Sequence, residues 1–140
     1  MRRTHEQGSA VVEFIAVVVV LLVPIVYAVM SLSAIEEATF AVHAAAKQAG
    51  RAYVQAGNDA TGRYAAQRAA AMAARNHGIE LGTDDVHLSC STADCLQPGT
   101  EITVTVRTRV DLVRVPAGFP SGPVISATHT HRVDPYRAAA

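Results

Sequence analysis

The chain has 140 residues, half of them apolar, with 12 Lys plus Arg set against 12 Asp plus Glu. That length holds one domain, or a smaller one carried on a membrane stem. The Lys and Arg residues are scattered and form no basic patch interleaved with aromatics, so nucleic acid is set aside as a partner.

Residues 1–7 are a short positive leader containing Arg2 and Arg3. An apolar run follows with one carboxylate, Glu13, at its head; residues 14–30 carry no charge, and apolar character fades only over residues 31–35. At a rise of about 1.5 Å per residue, about 20 helical residues cross a hydrocarbon core of about 30 Å. An ionisable group at the centre of such a span costs on the order of 2.5–3.5 kcal/mol, so Glu13 at its edge calls for an explanation. With Arg2 and Arg3 before the run and Glu36 and Glu37 just after it, the positive-inside rule keeps the N-terminus cytoplasmic and sends the remainder outward. A cleavable secretory signal is the rival reading, with Ser31-Leu32-Ser33-Ala34 as its cleavage site. Against it, the run exceeds the usual apolar region of about 7–15 residues and has Glu13 in its leading edge.

Helical periodicity continues past the span. Ile35, Ala38, Val42, Ala45, Ala49 and Ala52 recur at spacings of three and four, with Glu36, Glu37, His43, Lys47, Gln48 and Arg51 elsewhere on the helix. One helix from about residue 9 to about residue 55 is expected, with a kink or local loosening at Pro24. Gly57-Asn58-Asp59 breaks it, and a second, alanine-rich helix over residues 60–76 carries Arg63, Arg68 and Arg75. Asn76-His77-Gly78 reads as its C-cap, and this helix is expected to fold back on the first.

Beyond Gly82 the pattern becomes that of strands. Val86-His87-Leu88-Ser89 leads into a loop between Cys90 and Cys95, and Pro98-Gly99 reads as a turn. Residues 101–110 alternate strictly, with Ile102, Val104, Val106 and Val110 on one face. The alternation slips at Leu112-Val113, where a bulge or bend is expected, and residues 116–123 form a proline- and glycine-rich loop. Residues 124–133 make a last strand that Pro135 ends. The fold class is therefore α+β: a long N-terminal transmembrane helix continuing into a stem, a second helix, and a small antiparallel sheet of about three strands. Its segments are a leader (1–8), a transmembrane helix (9–35), a helical stem and second helix (36–78), and a small extracytoplasmic β-rich domain (79–140).

Chemistry-bearing residues are few. The C-x-x-x-x-C spacing of Cys90 and Cys95 is too wide for the C-x-x-C of zinc or redox pairs, and an even count beyond a membrane span favours a structural disulfide. His129 and His131 share a face of the last strand, and His87 on another strand would complete a three-histidine metal site. The reading preferred is plainer: histidines alternating with threonines on the solvent face of the sheet. No catalytic set, metal site, cofactor or glycine-rich phosphate loop is assigned.

The motif Gly8-Ser9-Ala10-Val11-Val12-Glu13-Phe14, followed by an unbroken apolar segment, resembles the class III signal of type IV pilins. More closely it resembles the TadE-like pseudopilins and minor pilins of the tight-adherence (Flp, type IVb) pilus system. The resemblance covers about residues 7–35; the remainder matches only in plan. It implies that a prepilin peptidase cuts between Gly8 and Ser9, leaving Glu13 as the fifth residue of the processed chain and Phe14 as the aromatic that follows it. It further implies that the new amine at Ser9 pairs with Glu13 of a neighbouring subunit, a pairing worth far more in low dielectric than in water. The implied partners are membrane lipid, other pilins or pseudopilins through the N-terminal helix, the prepilin peptidase and the pilus assembly platform. The implied place is the cytoplasmic membrane, single-pass with the N-terminus inside, and by extension a surface pilus. The expected function is thus that of a non-enzymatic minor pilin or pseudopilin. The alternatives are a secreted binding module released near Ala34, and an uncleaved membrane-anchored one.

Overall fold

A computed structural model describes residues 7–110 and 122–136, with side chains from residue 10 onward. The elements follow in the order α1 (Gln7–Val54), α2 (Asp59–Arg75), β1 (Val86–Cys90), β2 (Glu101–Arg109) and β3 (Val124–Arg132), with a 3-10 turn over Thr83–Asp85. This is the α+β plan expected from periodicity: a long apolar helix, a second helix and a three-stranded antiparallel sheet. The slip expected at Leu112-Val113 and most of the proline-rich loop fall outside the described residues.

The 48 residues of α1 form one continuous helix that runs through Pro24. Ala38, Ala41, Val42, Ala45, Ala46, Ala49 and Tyr53 are its fully buried apolar side chains and with Gly50 form one broad stripe, while Ile35 and Ala52 of the expected stripe are only half-buried. The chain turns at residues 55–58, where the Asn58 side chain accepts a hydrogen bond from the Thr61 backbone N–H (2.9 Å) and caps α2. At the other end, Gly78 takes φ +70° and the Ile79 N–H reaches the Ala74 carbonyl (3.1 Å), so the cap lies within the expected Asn76-His77-Gly78. Ala66, Ala70, Ala73 and Ala74 of α2 are buried against α1. Small side chains let the two backbones come close, and Gly62 goes furthest: a Cβ there would stand 3.1 Å from the Tyr53 ring.

The Tyr53 hydroxyl in turn donates to the Asp59 carboxylate, which also accepts from Arg63 Nε at 2.8 Å. Burial, followed by the bond to Asp59, raises the Tyr53 phenol to about 12. The Arg63 and Tyr53 bonds together hold the Asp59 carboxyl below the usual carboxylate range. These three side chains latch the helical hairpin at its turn.

The sheet has the order β1-β2-β3, all antiparallel. On the inner face Val86, Leu88 and Cys90 lie opposite Val106, Val104 and Ile102, which in turn face Ala127, His129 and His131. This face packs on α1, completing a core whose largest buried side chains are Tyr53, Ile102, Val42, Val104, Val106 and Val133. The outer face is polar, with hydroxyl pairs Thr103–Thr130 (3.4 Å) and Thr105–Thr128 (3.0 Å) across β2 and β3. Cys90 and Cys95 are joined in a disulfide with their Cα atoms 5.3 Å apart. The loop it closes is stitched to β2 by the Ser91 N–H to Glu101 carbonyl bond (3.0 Å).

The register corrects the expectation for the histidines. His129 and His131 do not sit with the threonines on the solvent face; they are half-buried on the inner face, against α1. His87 lies on the outer face, paired in register with Thr105, so the alternative grouping of His87 with His129 and His131 is split across the sheet. Among the described residues, no three of His, Cys, Asp and Glu are grouped closely enough to hold a metal ion.

Candidate functional site

Two surfaces carry the chemistry of this chain. The first is the N-terminal half of α1. Every residue from 10 to 26 is exposed, including Val12 (68%), Phe14 (69%) and Val20 (71%). A helix in water hides one apolar stripe and keeps a polar back; this one is apolar all round and has nothing packed on it. It is the one helix among the described residues long and apolar enough to cross a membrane.

Glu13 lies in the first turns of this segment, exposed, and among the described residues it has no ion-pair or hydrogen-bond partner. Phe14 follows it, equally uncovered. Gly8 and Ser9 lie in the first turn of the same helix, so the expected cleavage pair and the expected assembly carboxylate belong to one element. From Ser9 to Glu13 is one helical turn, about 6 Å along the axis.

The second surface is the seam between α1 and β3. His43 on α1 meets His129 edge to face, with ring centroids 5.9 Å apart, and His131 stands 6.4 Å from His129 on the same strand. His131 lies directly over Gly50: a Cβ built on that glycine would stand 2.5 Å from the imidazole Nε2. That nitrogen is buried and unpartnered among the described residues. Burial pushes the His131 imidazole below its ordinary pKa, and the neighbouring His129, Arg51 and Lys47 push it the same way.

Gly50 and Tyr53 did not stand out in the sequence, although each carries a signal. Tyr53 extends the Ala45–Ala49 row by a further four residues, and a lone glycine inside a helix, which costs about 1 kcal/mol against alanine, implies a close approach. Compared with models of protein families, with curated protein sequences and with solved structures, the chain matches none.

Proposed function

We propose that this chain is a single-span subunit of a pilus-type assembly, a minor pilin or pseudopilin of the TadE-like kind, acting by assembly rather than catalysis. One observation carries the reading: half of α1 is apolar on every side and uncovered, and its first turns hold Gly8, Ser9 and a lone carboxylate at Glu13. A plain anchor has no use for a carboxylate at the edge of lipid. A helix that leaves lipid to pack against copies of itself does, provided cleavage after Gly8 creates an amine at Ser9 to neutralise it. The N-terminus then lies inside, as Arg2 and Arg3 favour, and the α+β domain outside. The oxidised Cys90–Cys95 pair accords with that placement.

The continuity of α1 bears on the secretory alternative. Cleavage within Ser31-Leu32-Ser33-Ala34 would cut an unbroken helix just ahead of Ala38, where its buried stripe begins. The test is processing. Co-expression with a prepilin peptidase shortens the chain by residues 1–8, and Gly8→Ala blocks the change. An unchanged intact mass in a competent host, or a new N-terminus near Ala34, overturns the proposal.

A further inference from the structure

The end of the α+β domain nearest the bare half of α1 holds a cleft of about 450 Å³. Its walls are Ala34 and Glu37 on α1, the connection after α2 as far as Glu80, and the end of β2 at Arg109. The topology brings these segments to one level. His129 meets His43 and His131 lies over Gly50, so β3 climbs α1 away from the bare half. Antiparallel β2 therefore descends toward that half and ends on Arg109. Helix α2 starts beside Tyr53, where Gly62 touches it, and returns along α1 to the same level.

The charged side chains around the cleft are of both signs and leave one another unneutralised. Glu37, Glu80 and Arg109 are exposed, and among the described residues none of the three enters an ion pair. The C-terminus of α2, which carries partial negative charge, lies just before the cleft and acts in the same sense as the two carboxylates.

The depth of the cleft follows from α1. With Glu13 at one edge of the hydrocarbon, about 20 helical residues cross about 30 Å and reach the other edge near residue 33. A headgroup layer adds about 5–7 Å, or about four further residues, so Ala34 and Glu37 stand among headgroups. This depth is the same whichever end of the helix faces the cytoplasm.

We propose that the cleft seats the headgroup of a phosphatidylethanolamine-type lipid, its ammonium between Glu37 and Glu80 and its phosphate against Arg109. The proposal rests on α1 spanning a membrane and is independent of the pilus reading. A zwitterion answers both signs at once. A primary ammonium brings three N–H donors to two carboxylates, and a guanidinium takes phosphate in a fork of N–H groups. An anionic headgroup without an amine satisfies Arg109 but stands against two carboxylates and the α2 terminus. A choline headgroup carries the same charges as ethanolamine but has no N–H to donate.

The full chain is first reconstituted with liposomes of phosphatidylcholine and phosphatidylglycerol and floated on a density gradient. A chain that stays at the bottom overturns the span reading, and this proposal with it. A chain that floats is then offered, in detergent micelles, equal amounts of phosphatidylethanolamine, phosphatidylcholine and phosphatidylglycerol with identical acyl chains. Native mass spectrometry counts the adducts. Phosphatidylethanolamine is expected to exceed each of the others about tenfold, the worth of two charge-assisted hydrogen bonds at a partly exposed site. Glu37→Gln with Glu80→Gln brings it down to the phosphatidylcholine level and raises phosphatidylglycerol, a gain that loss of fold cannot produce. Arg109→Gln lowers both zwitterionic lipids together. Equal adducts, a preference for phosphatidylglycerol in the parent chain, or a preference that survives the glutamine variants overturns the lipid site and leaves the span standing. Displacement of the lipid by an equal concentration of soluble glycerophosphoethanolamine overturns the membrane as the source of the ligand.

Discussion

At the scale of single residues, the close approach of α1 to the sheet depends on Gly50. Its missing Cβ is the space that the His131 ring fills. Alanine at this position gains about 1 kcal/mol of helix propensity but forces an overpacked contact costing about 1–3 kcal/mol, and with ring atoms this near the cost lies at the upper end. Gly50→Ala is therefore expected to destabilise the folded chain by about 1–2 kcal/mol in chemical unfolding in detergent. In a His131→Ala background the same change becomes neutral or stabilising, because the ring it collides with is gone. Equal costs in both backgrounds would show that Gly50 does not serve His131. A glycine within an alanine-rich helix is visible in the sequence, but its partner lies about eighty residues away and needs the tertiary register to be named.

Between elements, the seam of α1 and β3 holds three imidazoles with Lys47 and Arg51 beside them. His131 has its pKa lowered in the folded chain, so the fold favours its neutral form. The unfolded chain binds that proton near the ordinary value of 6.5, the folded chain only at lower pH. Stability contributed by this group is thus complete above about 6.5 and falls as pH drops through the folded value. Unfolding midpoints measured between pH 7.5 and pH 5 are expected to fall, and to fall less steeply in His131→Asn. An identical slope in the variant would place the acid sensitivity elsewhere.

Both helices and all three strands were legible from period alone, because their apolar spacing is regular and Gly57-Asn58-Asp59, Asn76-His77-Gly78 and Pro98-Gly99 mark the breaks. The facing of β3 was misread because His and Thr alternate there with no clear apolar member. Parity held the answer: Ile125, Ala127 and Val133 share the odd positions with His129 and His131, and all lie on the inner face. The Gly8–Glu13 region shows the opposite limit. Its motif is plain in the sequence, whereas the fold gives Glu13 no ion pair among the described residues and so adds nothing to its reading.

At the scale of the molecule, α1 belongs to two environments: bare over residues 10–26, core-forming from Ala38 onward. If the bare half spans the cytoplasmic membrane with its N-terminus inside, Lys47 lies on the far side of the bilayer. A membrane-impermeant amine reagent applied to intact cells is then expected to label Lys47, with no labelling in Lys47→Arg. Labelling only after the cells are opened would reverse the topology. With no competing lysine in the chain, peptide mapping separates label on Lys47 from label on the N-terminal amine.

The unbroken course of α1 through Pro24 into the core has a mechanical side. Its 48 residues amount to a rod of about 72 Å, with the sheet and α2 fastened to the outer end and no joint between them and the bare half. A tilt of one degree at the Gln7 end would swing the Val54 end by about 1 Å, so small rotations of the bare half become displacements of the sheet. Pro24, which removes one rung of the hydrogen-bond ladder, is where the rod yields first. Bending stiffness there, rather than any loop, sets how faithfully motion of the bare half is relayed to the sheet and α2.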